Sequence, residues 1–346
     1  MSKIIVGLIG AGKIGQIHAN NMLQSDDLHL KTVADPFINQ SVSDYLSEYS
    51  CRITSDPEDI FQDEEIEAVF ICSLTETHAP YIIKAARAGK HIFCEKPISL
   101  HIENSMEALK VVQECGVKLQ IGFNRRFDKH FKKIHDLVSE GAIGNQHLIK
   151  ISSRDPQPPP HEYIGKSGGM FIDMTIHDFD MVRFITGSEV NEISVKASNL
   201  VDPVFSKYND VDTAVITMML ENGAIAVIDN SRQAVYGYDQ RVEVFGSKGV
   251  IETENEKETN IKVSTRESVS LDHPKYFFLE RYKDAYVNEI HEFALAIKHN
   301  SNVLSSGTDG IEAETLAIAA KKSLEEGRTI SISEIDVFSM IGGENV

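Results

Sequence analysis

The chain has 346 residues, 42% hydrophobic and 25% charged, a balance that suits a folded protein of two domains and excludes a disordered one. With 34 Lys and Arg against 52 Asp and Glu, its formal charge of -18 repels phosphate backbones and anionic lipid, so neither nucleic acid nor a membrane surface is an expected partner. The first apolar run, Ile4 to Ile9, is too short to span a membrane, is broken by Gly7 and lacks the basic flank and cleavage site of a secretory signal; a cytoplasmic protein is expected.

That run reads as a strand. Gly10-Ala11-Gly12-Lys13-Ile14-Gly15 follows it directly and opens a helix-compatible stretch, the context in which a GxGxxG pattern cradles a dinucleotide. The first glycine permits the tight turn, the second lets backbone approach a pyrophosphate, and the third lets helix and strand pack closely. Leu30 to Ala34 forms the next strand, and Asp35 ends it 20 residues after Gly15, where a carboxylate accepts hydrogen bonds from both ribose hydroxyls. Asp35 also repels a 2′-phosphate and no Lys or Arg follows within Pro36 to Asn39, so NAD is expected rather than NADP.

Strands are then expected at Ala68 to Cys72, His91 to Cys94 and Val117 to Ile121, with helices at Thr77 to Ala88 and Ile102 to Cys115. This alternation predicts an α/β domain over residues 1–123, a doubly wound parallel Rossmann sheet. Cys51, Cys72, Cys94 and Cys115 recur about every 21 residues with no zinc-like spacing, and read as reduced thiols marking the strand–helix repeat. Glu95-Lys96-Pro97 follows the His91 to Cys94 strand at the carboxyl edge, where such sheets bind ligands; Glu95 and Lys96 are therefore expected beside the nicotinamide.

After Gly122 the pattern changes. A helix over Phe127 to Glu140 leads through Gly141 and Gly144 to a strand near His147 to Ser152, and then to the loop Arg154 to Gly169 with four prolines and three glycines. From Val190 to Val263 β-rich runs follow one another across turns at Glu221-Asn222-Gly223 and Gly246 to Gly249, and two helices, Glu280 to His299 and Thr308 to Glu326, close the chain. Residues 124–346 are thus expected to form an α+β substrate-binding and oligomerisation domain with a large, mainly antiparallel open sheet, its closing helices packing on one domain or the boundary between the two.

Within it, Asp173, His177 and Asp180 recur at i, i+4 and i+7 in the apolar segment Gly168 to Asp180, so a helix places them on one face. A polar stripe in such surroundings needs partners or a function. It suits a histidine base with a supporting carboxylate, and equally a capped core histidine; no further Cys or His cluster supplies the remaining ligands of a metal, and none is expected.

These motifs, together with GFNRRFD at Gly122 to Asp128, SRDP at Ser153 to Pro156, YGYDQR at Tyr236 to Arg241 and EVFGSKG at Glu243 to Gly249, resemble the glucose-fructose oxidoreductase, inositol dehydrogenase and rhizopine-catabolism family over nearly the whole chain. The resemblance implies a catalytic set of Lys96, Asp173 and His177. It places Ser73, Thr75 and His78 along the cofactor, and Asn124, Arg125, Asp155 and Tyr236 with the catalytic set around the substrate. It also implies a cis peptide before Pro97 and a homotetramer. Independent chemistry agrees with the catalytic roles: a histidine accepts the hydroxyl proton as hydride leaves carbon, Asp173 bonds the substrate and supports the imidazolium, and cationic Lys96 stabilises charge on the oxygen. The implied reaction is oxidation of a cyclic polyol, with myo-inositol first and scyllo-inositol, chiro-inositol or a pyranose as alternatives. An NAD(H)-binding sensor without turnover and a transhydrogenase-like enzyme with tightly bound cofactor are the other classes open.

Overall fold

The computed structural model describes residues 2–335. They fall into two compact units, residues 2–127 with 284–312 and residues 128–283 with 313–335.

The first unit runs β1 (Ile4–Ile9), α1 (Lys13–Leu23), β2 (Leu28–Ala34), α2 (Gln40–Glu48), β3 (Arg52–Thr54), α3 (Glu58–Phe61), β4 (Ala68–Ile71), α4 (Thr75–Arg87), β5 (His91–Cys94), α5 (Ile102–Cys115), β6 (Leu119–Ile121) and a 3₁₀ turn at Asn124–Phe127. All six strands pair in parallel, in the order 3-2-1-4-5-6. Strands covered on both faces need no polar side, which is why all four residues of β4 are apolar and buried. The doubly wound expectation therefore holds; β3, only three residues long, was invisible to periodicity. The register matters most for function. Ile9 pairs with Ala34 and Ile71, Ile71 with Cys94, and Cys94 with Ile121, so Gly10, Asp35, Cys72, Glu95 and Gly122 all emerge at one carboxyl edge.

The second unit begins with α6 (Lys129–Ser139), capped by the Asp128 carboxylate accepting from the His130 and Phe131 amides, and β7 (Gln146–Arg154). It continues through α7 (His161–Ile164), a π-helical turn at Phe171–Thr175, α8 (Ile176–Thr186), β8 (Val190–Ser198), β9 (Thr213–Leu220), β10 (Ile225–Ser231), β11 (Asp239–Gly246), β12 (Gly249–Thr253), the hairpin β13 (Lys262–Ser264) and β14 (Val269–Leu271), and α9 (Phe278–Arg281). The large sheet has the order β12-β11-β7-β10-β9-β8, extended by β15 (Ile330–Ser331) at its edge. It is mainly antiparallel, as expected, but β7 and β10 at its centre run parallel. Its strands alternate strictly: Ile149, Ile151, Ile216, Met218, Ile228, Val242 and Val244 are buried on one face.

Returning to the first unit, α10 (Lys283–Lys298) places Ile290, Phe293 and Ala294 in the same core as Val6, Leu30, Phe70 and Phe93. Phe293 meets Phe70 edge-on at 5.5 Å. Each such ring contributes about 1.5–3 kcal/mol by leaving water. After it comes α11 (Gly307–Glu326). No helix among the described residues is long and apolar enough to cross a membrane, and all four cysteines are free.

Candidate active site

The glycine-rich turn has the form a dinucleotide requires. Gly10 sits at φ +93°, and a Cβ there would lie 2.6 Å from the Cys72 carbonyl oxygen; one on Gly15 would lie 1.9 Å from the Gly10 oxygen. Both glycines are demanded by the protein itself. Gly12 is different, because a Cβ there meets no protein atom within 4 Å. Gly12 is also the N-cap of α1 and offers no side-chain acceptor, the kind of helix start that suits an external anion; exposed Lys13 and half-buried Ile14 follow it in the first turn. The residues present fit an NAD pyrophosphate.

Asp35 is tied into this turn. Its Oδ2 accepts from the Ala11 amide at 2.7 Å and its Oδ1 from the Phe37 amide at 2.7 Å. Each oxygen keeps a second lone pair for a ribose hydroxyl. Beyond β4, Ser73 Oγ lies 2.6 Å from Thr77 Oγ1, and Thr75 opens α4. His78 is spent on the protein's own backbone. Its Nδ1 lies 2.8 Å from the Pro97 oxygen and its Nε2 3.0 Å from the Ser73 oxygen, joining two loops of the edge, and burial pushes the imidazole below its ordinary range. The neutral ring donates to only one of the two.

The Lys96–Pro97 peptide is cis. Glu95 and Lys96 are half-buried, and Glu95 Oε1 lies 2.7 Å from His18 Nε2 on α1. Asn124 and Arg125 follow β6 in the 3₁₀ turn and are both buried. Every cofactor-side residue expected from the sequence thus belongs to the first unit and gathers at its carboxyl edge.

The second unit carries the others. Asp173 lies in the π-helical turn and His177 in the first turn of α8, both half-buried. Along this segment burial deepens: Asp173 and His177 are half-buried and Asp180, one turn further along α8, is wholly buried. Asp173 is grouped with Asp155 by a residue the sequence reasoning missed. Arg232 Nη2 donates to Asp173 Oδ2 at 2.8 Å and its Nη1 to Asp155 Oδ2 at 3.1 Å. Burial alone would lower the affinity of Arg232 for its proton, but Asp173 and Asp155 more than offset this and hold it above its ordinary value. Tyr163 Oη donates to Asp173 Oδ1 at 2.9 Å, and its partial burial and the Asp173 charge push the phenol upward.

A signal for Arg232 existed. Ala226, Ile228, Asn230 and Arg232 alternate along β10 and just past it, and the first three face inward. Two polar residues closing an inward row mark a buried polar layer. Asn230 duly donates to Asp178 Oδ2 at 2.9 Å and accepts from Thr175 Oγ1 at 2.6 Å, holding the residues on either side of His177. Tyr236 joins a different network. Its hydroxyl donates to Asp239 at 2.6 Å and accepts from Arg154 at 3.1 Å, with Arg241 and Asn255 also on Asp239.

Two family models match the chain in succession. Residues 4–123 match the model of an oxidoreductase family with an NAD-binding Rossmann fold, and residues 131–252 match the GFO/IDH/MocA C-terminal domain. The chain is 51% identical to YrbE, an uncharacterized oxidoreductase of Bacillus subtilis, over 96% of its own length and 98% of that protein. It is 45% identical to a myo-inositol 2-dehydrogenase of Thermotoga maritima, over 95% and 99%. The crystal structure of scyllo-inositol dehydrogenase from Lactobacillus casei with bound NAD(H) and scyllo-inositol superposes with a TM-score of 0.88 at 30% identity, covering 96% of this chain and 100% of that one.

Proposed function

The chain belongs to the GFO/IDH/MocA oxidoreductase family, and from that premise we propose that it oxidises myo-inositol at the 2-hydroxyl to 2-keto-myo-inositol. It is an oxidoreductase of the inositol dehydrogenase type, and its cofactor is NAD, which takes the hydride. His177 accepts the hydroxyl proton, Asp173 bonds the substrate and supports the imidazolium, and Lys96 stabilises the negative charge growing on oxygen. Asn124, Arg125, Asp155 and Tyr236 are assigned to polyol hydroxyls, Ser73, Thr75 and His78 to the walls of the cofactor site.

The observation that carries this reading is the ion pair of Asp173 with buried Arg232, four residues before His177. It holds an ionised carboxylate in place close in sequence to a histidine, and such a carboxylate can support the imidazolium formed when an alcohol loses its proton. The choice of ring rests on the Thermotoga relative; the Lactobacillus structure with scyllo-inositol supports that isomer as the second reading. Purified protein assayed with NAD and a panel of myo-, scyllo- and chiro-inositol and pyranoses, following NADH absorbance, tests it. The highest kcat/KM is expected for myo-inositol, and a preference for scyllo-inositol transfers the assignment to that isomer. Cofactor binding with no turnover on any polyol sinks the enzyme assignment.

We further propose a cytoplasmic homotetramer in which the outer face of the large sheet is covered by another copy. Pairing places Met219, Ile225, Leu148, Phe245 and Val250 side by side across five strands on that face. Four of them, Met219, Ile225, Phe245 and Val250, are 37–52% exposed within one chain. A continuous apolar row of this kind needs cover.

A further inference from the structure

Behind the carboxyl edge of the first unit lies a cluster that the proposed chemistry does not use. His18 of α1 is wholly buried, its ring packed edge-on against Phe93 at 5.0 Å and Tyr286 at 5.8 Å. Its Nε2 lies 2.7 Å from Glu95 Oε1 and 3.8 Å from Oε1 of Glu289, which comes from α10 and is also wholly buried. Neither carboxylate oxygen of Glu289 has a hydrogen-bond partner among the described residues. Gly122 lies on another side of Glu95, where a Cβ would come within 2.9 Å of its Oε2 and make the carboxylate shift.

We propose that His18 and Glu289 are positioning residues for Lys96: they fix the Glu95 side chain, and with it the backbone turn that presents the next residue. The proposal rests on the role assigned to Lys96 above. Three elements, α1, β5 and α10, converge on Glu95, which leaves that side chain little freedom to swing and so steadies the backbone entering Lys96.

His18 and Glu95 are joined by a hydrogen bond rather than through a metal. Ligand bonds of about 2.0–2.2 Å in a tetrahedral zinc site set neighbouring donor atoms roughly 3.3 Å apart. The 2.7 Å separation of Nε2 and Oε1 is that of a hydrogen bond. Glu289, buried with no donor on either oxygen, is the neutral acid; burial and then the nearby Glu95 charge push its carboxyl far above the ordinary range. The titratable groups around it are His18 on α1, Cys72 and Cys94 at the ends of β4 and β5, Glu95, and Tyr286 on its own helix. Cys72 stays a neutral thiol, since burial and then the Glu95 charge push it upward.

Four variants test this, in the full chain with NAD and the best polyol. Lys96→Met is expected to abolish turnover; if it does not, the role of Lys96 fails and the proposal with it. Given that loss, His18→Leu is expected to lower kcat by up to about 10²-fold while NAD affinity stays within about threefold, the signature of a misplaced rather than a missing group. Glu289→Gln, which keeps the shape of the neutral acid, is expected to lose less kcat than Glu289→Leu. Wild-type kcat in both His18→Leu and Glu289→Leu overturns the positioning role alone.

Stability provides a readout independent of turnover, which decides the matter should His18→Leu fail to fold. A carboxyl whose folded pKa is raised binds its proton in the native state while the unfolded chain has released it, so wild-type stability falls as pH rises above about 4.3. The amide introduced by Glu289→Gln has no such proton to lose. The Tm of Glu289→Gln relative to wild type is therefore expected to climb between about pH 5 and about pH 8. A constant difference, or a stoichiometric metal found by elemental analysis of the purified protein, overturns the proposal.

Discussion

At the scale of single residues, His177 and Arg232 separate two kinds of contribution. His177→Ala is expected to lower kcat by roughly 10²- to 10⁴-fold with NAD affinity nearly unchanged, because it removes a proton acceptor and no cofactor contact. The wild-type rate should rise with pH as the imidazole loses its proton; the same profile in His177→Ala would return the histidine to a structural role. Arg232 remains cationic, held so by the two carboxylates it bridges, so the pH dependence of that rate is not set by the Arg232 charge. Arg232→Gln strips both carboxylates of their counter-charge and is expected to cost about 3 kcal/mol in urea unfolding, with kcat falling on the order of 10²-fold. Arg232→Lys should recover little, since one ammonium does not reproduce the planar two-armed donor. Asp35→Ser removes a negative charge from the 2′ position and an anchor of the glycine turn at once. It is expected to weaken NAD and narrow its preference over NADP, and an unchanged ratio of kcat/KM for the two cofactors would show that selection lies elsewhere.

At the scale of elements, the turn into α1 distinguishes glycines kept for the fold from one left open for a ligand. Gly15→Ala drives a methyl into the Gly10 carbonyl and should destabilise the protein, whereas Gly12→Ala meets nothing and should leave Tm unchanged while raising the NAD dissociation constant roughly tenfold, about 1.4 kcal/mol. Thermal melts with and without NAD make the comparison. This element was legible in the sequence because a strand, three spaced glycines and a helix impose mutually consistent local demands. The Asp173–His177 segment was only half legible. Its polar pair stood out from apolar neighbours, but a π turn is a one-residue insertion that leaves composition untouched, so the widened turn that carries Asp173 was not foreseen. Arg232 was readable from the alternation of β10 and was passed over because the strand was treated as framework. The convergence of His18, Glu95 and Glu289 could not be read at all: nothing in a one-dimensional pattern brings α10 to the end of β5.

At the scale of the whole molecule, a formal charge of -18 on each copy opposes self-association, so in the proposed tetramer the apolar row on the outer sheet would have to outweigh a repulsion that salt screens. Light scattering of the wild type is expected to give about four times the 38.5 kDa chain mass, with smaller species favoured at low ionic strength. Phe245→Asp, at the middle of the row, should shift the distribution toward monomer or dimer, and a wild-type monomer at micromolar concentration would remove the assembly proposal. The first unit is also interrupted: its sheet is complete by residue 121, yet Ile290, Phe293 and Ala294 of its core arrive only after residues 128–283. A ribosome adding about 5–20 residues per second needs roughly 8 to 30 seconds to cross that gap. Throughout that interval the nascent Rossmann sheet shows the apolar surface of Phe70 and Phe93 to water, which makes the half-finished chain, rather than the finished enzyme, the natural client of a ribosome-bound chaperone.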